Sequence, residues 1–112
     1  MTRNQSPPDL DVVIEALANK HRREIIHVLS LGPCSISKLA FLRNLSLPAI
    51  HKHIEVLENG GLVTRRKIGQ TNFLAFNREA FRGLQDWLMR YNPYRGSDEG
   101  VPENPAQPLS RR

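Results

Sequence analysis

Two breaks, Gly32-Pro33 and Gly60-Gly61, enclose a stretch that a single tight turn, Asn44-Leu45-Ser46, divides into two apolar-periodic runs. Glycine followed by proline stops a helix, because glycine accepts left-handed backbone and proline has no N–H to continue the ladder. The first run carries Ile36, Leu39, Ala40 and Leu42, with Ser35 or Ser37 as its N-cap. The second runs from Leu47 to Glu58. Ser46 is its N-cap, and Pro48 falls in the first turn, where a missing N–H has no partner to lose. A short helix, a tight turn and a longer helix are the parts of a helix-turn-helix.

The flanking segments complete a small domain. Asp9 caps a first helix bearing Val13, Ala16 and Leu17, and a second helix from Lys20 to Ser30 carries Ile25, Ile26, Val28 and Leu29. Beyond Gly61, Leu62 to Ile68 and Thr71 to Phe76 read as the strands of a hairpin closed at Gly69-Gln70. Asn77 is then expected to cap a fifth helix, along which Ala80, Phe81, Leu84, Trp87, Leu88 and Tyr91 recur every three or four residues, and Asn92-Pro93 closes it. The expected fold is mainly α with a β-hairpin wing, a winged helix-turn-helix in the order α-α-α-α-β-β-α. Residues 1–8, polar and ending in Pro7-Pro8, read as a flexible lead. Residues 9–91 read as the folded domain. Residues 92–112, broken by Pro93, Gly96, Gly100 and Pro102, read as a disordered tail.

Charge narrows the function. The chain of 112 residues has a net charge of +5, but from Lys20 to Arg90 twelve basic side chains face only five acidic ones, a balance of +7. A basic middle implies an anionic partner, nucleic acid before a membrane surface, with a solvated basic face as the plainer alternative. No window holds the roughly 18 apolar residues of a membrane span. The opening MTRNQSPPD lacks the apolar core of a signal peptide. With Cys34 as the only cysteine, no internal disulfide can form, and a soluble cytoplasmic protein is expected. No paired carboxylates, Cys–His dyad or glycine-rich phosphate loop can be placed, so an enzyme is not expected.

Projected at the helical period, Ile50, Ile54 and Leu57 share the core face of the longer helix, while Pro48, Lys52 and Glu55 lie opposite. The exposed N-terminal half of the second helix is what enters a DNA major groove in such motifs. Ser46, Leu47, Pro48, Ala49, His51 and Lys52 are therefore the candidate recognition residues. Lys52 can donate to guanine O6 or N7, His51 can donate or accept, and Leu47 can meet a thymine methyl. An ordinary exposed helix face is the competing reading. Ser35, Ser37 and Lys38 on the bracing helix, with Arg65, Arg66, Lys67 and Gln70 on the wing, are candidates for phosphate contact. Strand alternation sets Arg65 and Lys67 on one side and Arg66 on the other.

The stripe Phe81, Leu84, Trp87, Leu88 and Tyr91, joined by Val13 and Leu17, is too wide and aromatic for one small core to cover, and is expected to pair two copies.

The runs ALANKHRREIIHVLS, SISKLAFLRNLSLPAIHKHIEVLENGGLVTRRKIGQ and NFLAFNREAFRGLQDWL resemble the ArsR/SmtB-type winged-helix repressors across roughly residues 10–91. The most specific parts are Leu17-Ala18 with Arg22-Arg23, Leu45-Ser46 with Pro48-Ala49-Ile50 and Lys52-His53-Ile54, and Val56-Leu57-Glu58 with Gly60-Gly61-Leu62-Val63. The resemblance implies a homodimer built on the first and last helices, binding an inverted repeat in a promoter as a repressor. Arsenic-binding members of that family carry Cys-Val-Cys where this chain has Ser35-Ile36-Ser37. Zinc-sensing members use Asp and His on the last helix, where this chain has only Glu79 and Asp86. Two carboxylates seven residues apart make a poor zinc site. His51 and His53, two apart, diverge on a helix, and His53 is expected at the core edge. The expectation is double-stranded DNA as partner with no cofactor, no metal and no membrane, the effector being open. Cys34 reads as an inert thiol. A protein-binding winged helix, or a metal- or redox-responsive repressor with an atypical site, is the alternative.

Overall fold

The computed structural model describes residues 9–91; the expected lead and tail lie outside them. Each of the first four helices starts where a side chain accepts a free backbone N–H. Asp9 accepts from Asp11 N at 3.1 Å to open α1 (Leu10–Ala16). Asn19, which apolar periodicity does not single out, accepts from Arg22 N at 3.2 Å to open α2 (Lys20–Ser30). Ser35 rather than Ser37 opens α3 (Ile36–Arg43), accepting from Lys38 N at 3.2 Å. Ser46 opens α4 (Leu47–Asn59), accepting from Ala49 N at 3.3 Å. These caps satisfy donors that the helix itself leaves orphaned.

The turn between α3 and α4 is closed by Asn44, at φ 55°. Asparagine tolerates this left-handed conformation. The backbone N–H of Leu45 then returns to the Ala40 carbonyl at 2.9 Å, which fixes the direction in which α4 leaves. At the far end of α4, the backbone of Gly60 is ordinary at φ −82°, but a Cβ there would stand 3.3 Å from the Cβ of Ala16. Glycine is needed for the close approach of α1 and α4, whereas Gly61, at φ 76°, is needed for the turn itself.

The hairpin forms as β2 (Val63–Ile68) and β3 (Thr71–Phe76), antiparallel, with Val63 opposite Phe76 and Ile68 opposite Thr71. Gly69 supplies the positive φ of the two-residue turn, 63°. A third strand, β1 (Cys34–Ser35), pairs with β3 in the order β1-β3-β2. This short strand ties the start of α3 to the wing. The hairpin runs into a 3₁₀ turn (Arg78–Phe81) and then α5 (Arg82–Met89).

Asn77 does not cap the last helix through its side chain. Its side-chain amide instead donates to the Gly61 carbonyl at 2.9 Å, and its backbone N–H donates to Leu62 O at 2.8 Å. Closing the base of the hairpin takes the group that the cap would have used. The core lies among α1–α4 and the inner face of the sheet, where Ile25, Leu39, Ile50, Ile54, Leu57, Leu62 and Leu74 are sealed from solvent. Ile50, Ile54 and Leu57 are the three residues of α4 that helical projection assigned to this face.

Candidate nucleic-acid interface

With Ile50, Ile54 and Leu57 fixed in the core, α4 has no freedom about its own axis. Leu47, Pro48, His51 and Lys52 are consequently exposed, and Ala49 is half-buried beside them. Ser46 spends its hydroxyl on the helix cap, so its role in this surface is to start α4 where it does. Ser35 is likewise committed to its cap, while Ser37 and Lys38 are exposed on the first turn of α3.

The wing folds back toward this surface. Ile36, Ser37, Leu47, His51, Gln70, Thr71 and Asn72 line one cleft of about 240 Å³. The start of α4, the start of α3 and the tip of the hairpin thus share a single concave polar edge. Thr71 and Asn72, which follow Gln70 past the hairpin turn, enter it too, and the strand register sets Asn72 opposite Lys67 and Thr71 opposite Ile68.

The three wing cations separate. Arg65 is drawn back to α4, its Nε donating to Glu58 Oε2 at 3.0 Å and its Nη2 to Oε1 at 3.1 Å. This forked hydrogen bond raises the Arg65 guanidinium pKa further above its ordinary value, against a smaller effect of burial. Arg65 therefore braces the wing on α4. Arg66 and Lys67 remain exposed. Arg66 lies on the opposite face from Arg65, as alternation requires, beside Ile68 and Phe73 in a shallow apolar groove of about 450 Å³.

A second surface is apolar. No residue of α5 is buried, and Trp87, Leu88, Met89 and Tyr91 stand exposed, Leu88 at 53%. Phe81, Leu84, Gln85, Leu88 and Met89 line a groove of about 470 Å³. Phe81 also packs inward, edge-on against Phe76 with ring centroids 5.0 Å apart, and Leu17 is half-buried against the core. Val13 departs from its expected place on this surface. It is 1% exposed, sealed in the protomer's own core, while its neighbours Val12 and Ile14 are each 42% exposed. Residues adjacent on a helix point about 100° apart, so the outward face of α1 is carried by the flanking positions.

The residues at the family's metal positions do not suit a metal. Ser35 and Ser37 offer no thiolate, and the Glu79 carboxylate is paired with Arg82 at 2.8 Å. Among the described residues, no three His, Cys, Asp or Glu side chains converge as a metal site requires. Cys34 is buried at β1. Burial pushes its thiol up, and the nearby Lys38 offsets only part of that, so little reactive thiolate forms.

A family model described as a helix-turn-helix domain matches residues 17–66. The transcriptional activator HlyU of Vibrio cholerae serotype O1 is 30% identical over 79 residues, covering 70% of this chain and 73% of that protein. A crystal structure of an ArsR family transcriptional regulator is 32% identical with a TM-score of 0.70, covering 80% of this chain and 98% of the other. The chain belongs to the ArsR family. As a member it is a DNA-binding transcription regulator with a winged helix-turn-helix fold. The fold is also that of a Mycobacterium bovis domain described as a homodimeric winged helix-turn-helix DNA-binding domain (TM-score 0.62, 21% identity, covering 81% of this chain and 87% of that one). Among the described residues, no helix is long and apolar enough to cross a membrane.

Proposed function

We propose that this ArsR-family regulator acts as a homodimer that occupies an inverted-repeat operator and represses transcription there, without a bound metal. The observation that carries the reading is the shared cleft. Leu47 and His51 of α4 meet Gln70, Thr71 and Asn72 of the wing on one exposed edge, with Lys52 beside them. A helix in the major groove reads base edges, while hairpin cations hold phosphates. One such edge covers only a half-site.

The apolar face of α5, with Val12 and Ile14 of α1 exposed on the same protomer, supports two-fold pairing. The M. bovis domain of the same fold is homodimeric. Two-fold pairing would set two α4 helices about one DNA turn apart, and that geometry calls for a palindromic site. A dimer lying over a promoter excludes polymerase by occupancy. A reporter gene behind the selected operator tests the sign: expression falls when the regulator is supplied, and a rise would mean activation instead.

A further inference from the structure

Behind the recognition helix sits a cluster that neither DNA contact nor pairing of copies uses. The imidazoles of His21 on α2 and His53 on α4 lie 5.5 Å apart between ring centroids. Arg22 approaches His53 Nδ1 at 3.4 Å, and Arg43, the last residue of α3, approaches His21 Nδ1 at 3.1 Å. A guanidinium can only donate. A hydrogen bond from Arg22 to His53 Nδ1 therefore needs that nitrogen to accept, as it does in a neutral imidazole carrying its proton on Nε2.

Arg22 is itself fixed from the other side. Its Nε donates to the Ala16 carbonyl at 2.6 Å and its Nη2 to the Glu15 carbonyl at 3.3 Å, both at the end of α1. The cluster thus connects all four helices around the core, and its only member on the recognition helix is His53.

Arg22 from α2 stands 3.4 Å from His53 Nδ1 and Arg43 from α3 stands 3.1 Å from His21 Nδ1, while α1 contributes the Glu15 and Ala16 carbonyls that hold Arg22. Glu24, three residues beyond His21 on α2, forms no ion pair with it, and among the described residues no carboxylate lies within ion-pairing distance of either ring. The Nε of Arg43 is buried without a partner, so this cation is already poorly compensated.

We propose that His53 is a positioning residue for the recognition helix, held by Arg22 and set beside His21 in a latch that closes only while the His53 imidazole is neutral, so that acid loosens α4 and weakens operator binding. Protonating Nδ1 removes the acceptor and sets a third positive charge beside two guanidiniums. Burial, reinforced by Arg22 and His21, holds His53 below the usual imidazole range. The sign follows. The latched state binds fewer protons than the open one, so the hold is complete above about pH 6.5 and is lost as pH falls through the depressed value.

The inference rests on α4 being the element that reads DNA, and its test has one arm that needs no DNA. In the ¹⁵N-histidine-labelled full chain, nuclear magnetic resonance should show His53 titrating below the ordinary value, with its neutral form protonated at Nε2. In the second arm, affinity for the selected operator duplex is measured at pH 7.5 and 5.5 at fixed ionic strength. The wild type should lose on the order of tenfold more affinity on acidification than His53→Gln. His51 is common to both proteins and cancels in that ratio. His21→Gln, which removes the neighbouring imidazole instead, should fall between them and serves if His53→Gln fails to fold. An ordinary His53 titration, or the same pH dependence in wild type and both variants, would overturn the latch. Failure to bind any duplex at either pH would count against the recognition reading, leaving the titration to decide the latch.

Discussion

Lys52 and His51 stand on the outward face of α4 because Ile50 and Ile54 beside them are fully buried. A side chain that donates to a base edge is worth about 1–3 kcal/mol of discrimination. Lys52→Ala and His51→Ala are each expected to weaken the preferred site by that amount and to relax the choice of base there, as read by competition between operator variants. Unchanged affinity and preference in both would remove α4 from the interface. Arg65 should behave differently from its neighbours. Its charge is already spent on Glu58, so Arg65→Ala should leave the salt dependence of binding to random DNA nearly unchanged. The residues at the metal positions lead to another expectation: a chelator should not alter operator affinity, and a tenfold change on its addition would point to a ligand set outside those positions. Single residues also show where sequence reading stops. Lys52 was legible because helical projection needs only the chain itself. The Arg65–Glu58 pair was not, because it depends on the angle at which the hairpin leaves α4.

At the scale of elements, the proposed function divides the work between the wing and α4. Arg66 and Lys67 are exposed cations near a two-residue turn, and on that reading they reach phosphate without reading bases. Replacing both by alanine should weaken specific and random duplexes alike and flatten the log–log salt dependence by about one unit for each phosphate no longer neutralised. A weakening confined to the specific duplex would mean the wing reads sequence. The Ser46 cap makes a separate prediction. Ser46→Ala should lower stability by about 1 kcal/mol in denaturant unfolding, since Ala49 N would be without its acceptor. The helix-turn-helix was readable because its signals are local: Ser35, Ser46 and Pro48 act within a turn of where they stand. β1 was not readable, since two residues carry no alternation and Cys34 is a strand only because Leu74 lies opposite. The role of Asn77 escapes sequence reading for the same reason. Its partner Gly61 is sixteen residues away and appears only once the hairpin closes.

For the whole molecule, the small core leaves α5 uncovered. A single protomer that exposes Trp87, Leu88, Met89 and Tyr91 along one helix has an association surface. Leu88→Glu should give monomers in sedimentation at micromolar concentration and reduce operator binding together with dimer content. A wild-type protein that sediments only as a monomer would contradict the pairing. The periodicity of α5 foretold this face, but Val13 shows that periodicity alone does not say which side of a short helix looks inward. That side was decided by packing against the rest of the fold: α4 approaches Ala16 closely at Gly60, and Val13, three residues before Ala16 on the same helix face, is buried with it. The central claim joins the two surfaces: α4 reads a half-site, and pairing doubles it. Selection of bound sequences from random duplex DNA tests both parts at once. The expected product is a two-fold symmetric sequence whose half-sites lie about one helical turn, or roughly 10 base pairs, apart. A bound sequence without symmetry, or no enrichment over random DNA, would contradict it.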